Sequence, residues 1–369
     1  MLIPLSRPDI TDLEIEYVTE VLRTPNLSLG PKLAEFEQKM AAYVGRKYAI
    51  AVNSGTAGLH LIIRAMGIAE GDEVITTPFS FVASANCLLF ERARPAFVDI
   101  DPLTFNIDVN KIEQRITART KAILAVDVFG YPADWDELER IAQRHNLKLI
   151  EDSCEALGAE YKGRKAGTFG EAAIFSFYPN KQMTTGEGGI IVTDSEEIAG
   201  LCKNMRNQGR GEGDGWLEHQ RLGYNYRLSD INCALGLAQL ERLEEILAKR
   251  RRVALWYNER LRGIEGVRVP CSAPEIKRSW FVYVALLGER YKREDRDRIL
   301  EGLTQRGIGC RNYFSPIHLQ KFYREMFGYK EGDFPVTEAV ASRTIALPFY
   351  NNLTQDEVRQ VTENLRQLL

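Results

Sequence analysis

Residues 172–192 read A-A-I-F-S-F-Y-P-N-K-Q-M-T-T-G-E-G-G-I-I-V. Two short apolar runs, 172–177 and 189–192, enclose a polar loop that carries Lys181 and then Gly186, Gly188 and Gly189. Runs of this length bounded by turn residues read as strands buried on both faces. Glycine lacks a Cβ, so the backbone here can turn tightly or approach a ligand. A lysine in such a loop can form a Schiff base with a carbonyl once its amine is deprotonated. Position alone leaves a surface lysine in a turn as an open alternative.

Working outward, further runs at 48–52, 73–77, 95–98, 122–128 and 147–151 repeat the pattern. Helical spacing fills 57–66, 80–90 and 135–145 between them. Strands alternating with helices predict βαβ units around a mostly parallel sheet of seven strands covered on both faces. Beyond Leu228 the texture changes. Residues 229–261 show apolar positions at helical spacing with no proline, which predicts one long helix capped by Ser229 or Asp230. A strand over 280–287, a charged helix over 294–306, a strand near 308–313 and a last helix from Thr354 are expected to follow. The expected organisation is a large α/β domain over 1–250 and a smaller α+β domain over 251–369, with the first thirty residues free to pack on either.

Forty-eight basic and fifty-one acidic residues among 369 leave a net charge of −3, so no global field favours nucleic acid or an anionic membrane. The six cysteines and four histidines are scattered, without C-x-x-C spacing, so neither a metal site nor a disulfide scaffold is expected. The N-terminal residues lack a leader pattern and no apolar run approaches the ~20 residues a bilayer requires, so a cytoplasmic location is expected.

Two more segments carry chemistry. Residues 147–161 read L-K-L-I-E-D-S-C-E-A-L-G-A-E-Y and set Asp152 at the end of a strand, where open α/β sheets hold ligands. A carboxylate there can pair with a protonated ring nitrogen or simply cap a helix. In 49–60, A-I-A-V-N-S-G-T-A-G-L-H, a strand runs through Ser54-Gly55-Thr56 into a helix. Free amides, the helix dipole and two hydroxyls would suit a phosphate, although the glycine spacing is that of neither a P-loop nor a dinucleotide fingerprint. The alternating glycines at 209, 211, 213 and 215 follow no strand and read as a mobile loop.

Taken together, a phosphate cradle, a strand-end acid and a lysine fall in the order used by fold-type I pyridoxal-phosphate enzymes. The chain resembles the DegT/StrS family of sugar-nucleotide aminotransferases over nearly its whole length, from Leu27-Ser28-Leu29-Gly30-Pro31 to Ala346-Leu347-Pro348. Ser54-Gly55-Thr56-Ala57 matches the family's phosphate segment, and 77–84 (T-P-F-S-F-V-A-S) matches the stretch whose aromatic, here Phe81, stacks on the pyridine ring. Glu151-Asp152 opens its E-D-x-x-x-A-x-G motif, and Ser176 and Lys181 match the phosphate serine and the Schiff-base lysine. Residues 222–228, L-G-Y-N-Y-R-L, match a loop that reaches into the partner subunit, with Asn225 near the phosphate.

The resemblance implies a fold-type I architecture, a homodimer with shared active sites, and pyridoxal 5'-phosphate bound by Gly55, Thr56, Ala57, Phe81, Asp152, Ser176, Lys181 and Asn225. It implies transfer of an amino group from an amino acid, glutamate being the expected donor, to a nucleotide-linked keto-sugar, in polysaccharide or glycan biosynthesis. Lys181 would move the proton and Asp152 would keep the ring nitrogen charged. Where the family often has Gln or His near the cofactor's phenolic oxygen, this chain has Glu155, which there must be protonated or hydrogen-bonded. Thr184-Thr185-Gly186-Glu187 resembles members that aminate a 4-keto-6-deoxy sugar, while Tyr178-Pro179 resembles those acting on a 3-keto sugar. Ser28, Leu29, Tyr313, His318 and Arg343 are the expected substrate contacts. Two readings of other classes stay open: a lyase or desulfurase of the same fold, of which the desulfurase would want a cysteine on a mobile loop, and a cofactor-binding sensor without turnover, which appended DNA-binding or signalling segments would support.

Overall fold

The structure, a computed structural model, describes residues 2–211, 215 and 218–369. The seven runs form the seven strands of one sheet: β1 (Tyr48–Val52), β2 (Glu73–Thr76), β3 (Arg94–Phe97), β4 (Thr120–Val126), β5 (Lys148–Asp152), β6 (Ala172–Ser176) and β7 (Gly189–Thr193). Their order is β1-β7-β6-β5-β4-β2-β3, and only β7 runs against its neighbours. The carboxyl ends of β1, β2, β4, β5 and β6 therefore share one edge.

Alternation along each strand feeds two cores. Ile50, Val52, Ile174 and Ile191 face the layer containing the helices Gly55–Ala65 and Glu196–Arg206. Ala49, Ala51, Phe175 and Ile190 face the opposite layer, with the helices Pro31–Val44 and Asp230–Glu241. A period of two with both faces apolar is what a doubly covered sheet requires. A third core joins the antiparallel strands Val267–Arg268, Tyr283–Leu287 and Thr344–Leu347 to the helices Leu243–Leu261, Arg293–Gln305 and Gln355–Leu368. Ile3 enters this third core beside Ile308, whereas the helix Asp12–Leu22 packs on Asp230–Glu241, so the N-terminal segment touches both parts.

Two expectations need correction. The long helix of 229–261 is two, Asp230–Glu241 and Leu243–Leu261, broken at Arg242. Arg242 is held by Asp9, Glu14 and Glu245, and the two helices pack on different cores, which overrides an unbroken helical pattern. Residues 308–313 form no strand but only isolated bridges, Ile308 to Ile3 and Arg311 to Ala346. Of the expected glycine loop, Gly213 lies outside the described residues. Among the described residues no helix is long and apolar enough to cross a membrane.

Candidate active site

A cleft of about 670 Å³ opens at the carboxyl edge of the sheet. Ser54, Gly55 and Thr56 form one end of it, Asp152, Glu155, Ser176 and Lys181 its depth, and Phe281, Asn312 and Tyr313 the wall supplied by the C-terminal part.

The cradle follows from local chain geometry. Ser54 caps the helix Gly55–Ala65, its Oγ accepting the Ala57 N–H at 3.1 Å. That bond occupies the Ala57 amide, whereas the amides of Gly55 and Thr56 have no partner within the helix. They sit at its positive end beside the Thr56 hydroxyl, a natural seat for a phosphate. A Cβ on Gly55 would stand 2.9 Å from Cys154 Sγ and 3.0 Å from Ser176 Cβ, closing the floor of this seat. Gly189 backs it from below, where a Cβ would come within 2.8 Å of the Gly55 nitrogen.

Asp152 ends β5 and is buried. Its Oδ2 accepts the Ser84 hydroxyl at 2.7 Å and its Oδ1 accepts the Cys154 N–H at 3.2 Å, while Ser80 Oγ lies 2.8 Å from Ser84 Oγ. Two partners fix the carboxylate's orientation and leave lone pairs facing the cleft.

The Lys181 side chain is 12% exposed, with its Nζ 3.7 Å from Glu155 Oε1 and 3.8 Å from the centre of the Phe281 ring. Glu155 Oε2 accepts the Phe129 N–H at 2.8 Å. Burial pushes the Glu155 carboxyl up, opposed by the charge of Lys181 and by that N–H. The backbone of Lys181 is held from behind by buried Arg250, whose Nη2 donates to the Lys181 carbonyl at 2.6 Å and whose Nη1 donates to the Phe281 carbonyl at 3.0 Å.

Of the residues expected from the sequence, the structure gathers Gly55, Thr56, Phe81, Asp152, Glu155, Ser176, Lys181 and Tyr313 around this cleft. Phe81 is 61% exposed, so most of its ring is uncovered. Ala57 lies just behind the cradle, in the core. His318 requires correction as a substrate contact. The turn after Pro316 drives it inward to 0% exposure, against Phe334 and 3.0 Å from Glu338 Oε1. Arg343 is also outside the cleft walls, and its Nε donates to the Ala339 carbonyl at 3.0 Å. Ser28, Leu29 and Asn225 do not line the cleft of their own chain. Asn225 separates in sequence Tyr224 and Tyr226, whose rings stack on each other, and its carbonyl accepts the Asn53 side chain at 3.4 Å. Ser84, Phe129, Arg250 and Phe281 escaped the sequence reading. Ser84 alone had a signal, being the last residue of a quoted motif one helical turn from Ser80.

The residues fit a phosphorylated pyridine aldehyde. A phosphate seat that a Cβ would fill, a buried acid with open lone pairs, a lysine within the same cleft and an uncovered aromatic ring answer its four chemical features.

A model of the DegT/DnrJ/EryC1/StrS aminotransferase family matches residues 8–366. The chain is 40% identical to the GDP-perosamine synthase of Caulobacter vibrioides, covering 100% of this chain and 98% of that protein. It is 31% identical to Helicobacter pylori PseC, an aminotransferase involved in the biosynthesis of pseudoaminic acid, with a TM-score of 0.95 and 100% and 99% of the two chains covered. A putative sugar aminotransferase of Streptococcus pneumoniae, solved in its PLP-form, superposes with a TM-score of 0.95 at 28% identity, over 100% and 98% of the chains.

Proposed function

The chain belongs to the DegT/DnrJ/EryC1/StrS aminotransferase family, and from that premise we propose that it moves an amino group from glutamate to a nucleotide-linked 4-keto-6-deoxy sugar. Pyridoxal 5'-phosphate is the cofactor. The observation that carries the proposal is the meeting of Lys181, Asp152 and the Gly55–Thr56 amides in one cleft.

Bound pyridoxal 5'-phosphate supplies the electron sink that makes the donor's Cα proton removable. The chain's residues do the rest. Gly55, Thr56 and Ser176 hold the phosphate, and Phe81 covers one face of the ring. Asp152 keeps a proton on the ring nitrogen by charge pairing, an interaction that gains strength in a desolvated site. The Lys181 amine takes the proton from Cα and redelivers it, and Arg250 fixes the backbone from which that amine swings. Tyr313 faces the acceptor sugar from the C-terminal wall.

Asn225, Ser28 and Leu29 are proposed to complete the partner's cleft in a cytoplasmic homodimer. Their position outside their own cleft supports this, as do Leu29 and Leu222, apolar residues left exposed on the segments concerned. The division into units 1–250 and 251–369 belongs to the same proposal, with the cleft between them.

The test is spectroscopic. Glutamate should convert the cofactor's visible band to that of its amino form, and a nucleotide-linked 4-keto-6-deoxy sugar should restore it. Restoration by a 3-keto sugar instead would move the site of amination. Restoration by no sugar nucleotide would remove the acceptor and leave the aminotransferase.

A further inference from the structure

Lys181 and Glu155 face each other at 3.7 Å, with side chains 12% and 4% exposed. Among the described residues no other carboxylate lies within 4 Å of Lys181 Nζ. The contact is longer than a hydrogen bond, and a small rotation of either side chain closes it.

The surroundings of the pair pull in opposite directions. The Phe281 ring, 3.8 Å from Nζ, favours the ammonium. The Phe129 N–H favours the carboxylate. On the other side, the negative charge of Asp152 disfavours a second anion at Glu155, and burial penalises both ions. Tyr313, Cys154 and the Gln182 amide, which donates to the Glu155 carbonyl at 2.6 Å, complete the groups around it. Arg250 brings a further buried cation to the Lys181 carbonyl.

We propose that Glu155 is the proton acceptor of Lys181, taking the ammonium proton on Oε1 so that the amine can add to the cofactor's aldehyde carbon. This deepens the function proposed above and rests on Lys181 being the cofactor lysine. In the transfer an N–H bond breaks and an O–H bond forms, and the electron pair stays on Nζ. The aldehyde oxygen then leaves as water with the two remaining amine protons. The proton on Glu155 is neither consumed nor lost, and it makes the carboxyl a hydrogen-bond donor within the cleft. A glutamine at this position could donate a hydrogen bond but could not accept the ammonium proton.

The pair has a signature that a merely structural contact lacks. Ammonium with carboxylate and amine with carboxylic acid hold the same number of protons, so their ratio does not change with pH. The amine supplied by that exchange gives Lys181 a reactivity that levels off instead of falling as pH drops.

The measurement is the rate of acetylation of Lys181 by acetic anhydride in cofactor-free protein, read by peptide mass spectrometry, with exposed lysines as internal references. From about pH 8 down to about pH 5 the reference lysines fall about tenfold per pH unit, and Lys181 is expected to fall less steeply and reach a plateau once amine with carboxylic acid outnumbers amine with carboxylate. Glu155→Gln should abolish the plateau and Glu155→Asp should lower it. A wild-type Lys181 that falls in step with the surface lysines would overturn the proposal without any variant, as would a plateau that survives in Glu155→Gln. The function reading fails separately, if Lys181→Ala protein still develops the cofactor's visible band.

Discussion

Asp152 commits one oxygen to the Ser84 hydroxyl and the other to the Cys154 amide, so it reaches the cleft already oriented. Asp152→Asn keeps the shape and removes the charge that would pair with a ring nitrogen. Loss of a buried charge partner costs about 3–5 kcal/mol, so turnover should drop by about 10²–10⁴-fold with folding intact, measured as kcat beside a thermal melt. A second residue-scale test concerns Glu151, Ser153 and Asp127. The Ser153 hydroxyl lies 2.6 Å from Glu151 Oε1 and 2.7 Å from Asp127 Oδ2, yet it has one proton to give. A further proton must sit on the pair, and burial pushes both carboxyls up, reinforced at Glu151 by the charge of Asp127. A folded state that keeps an acid protonated is favoured at low pH, and the advantage is lost as pH rises through the raised value. Replacing Asp127 with Asn should therefore flatten the decline of the unfolding midpoint between acid and neutral pH. An unchanged slope would contradict the shared proton.

At the scale of elements, the strands, the capped helix at Ser54 and the lysine loop were legible because each is set by neighbours in sequence. Apolar runs bounded by turn residues locate β1 to β7, and Ser54 caps within three residues of itself. The break at Arg242 was not legible, since it arises from ion pairs to Asp9 and Glu14, more than two hundred positions away. The inward turn of His318 and the cover that Phe281 gives Lys181 were hidden for the same reason. Gly130 shows how tightly these distant elements meet. It has φ of +73°, and a Cβ there would stand 1.6 Å from the Ser279 carbonyl oxygen. Replacement by alanine combines backbone strain with a clash and should destabilise by about 3 kcal/mol or more, read as a fall in the denaturation midpoint. Gly55→Ala is gentler in fold but fills the phosphate seat. It should weaken cofactor affinity by about tenfold or more, visible in titration of the absorption band, with a fall in the apoprotein melt smaller than that of Gly130→Ala.

At the scale of the whole molecule, sheet residues and C-terminal residues share one core beneath the cleft, and Arg250 ties the lysine loop to Phe281, just ahead of the strand Tyr283–Leu287. If Asn225 serves the partner's cleft, then Asn225→Ala and Lys181→Ala lesions lie in different chains of the same site. Two such proteins, each nearly inactive, should recover about a quarter of wild-type activity when dissociated and reassembled together, because half the dimers are mixed and each has one intact site. No recovery would place both residues in a single chain's site. The central claim is that Lys181 is the residue that carries the cofactor. Borohydride reduction of the protein loaded with pyridoxal 5'-phosphate, followed by peptide mapping, tests it most directly. The expected result is one reduced cofactor per chain, on the peptide containing Lys181 and absent from Lys181→Ala. Attachment at another lysine, or no covalent attachment, would contradict it.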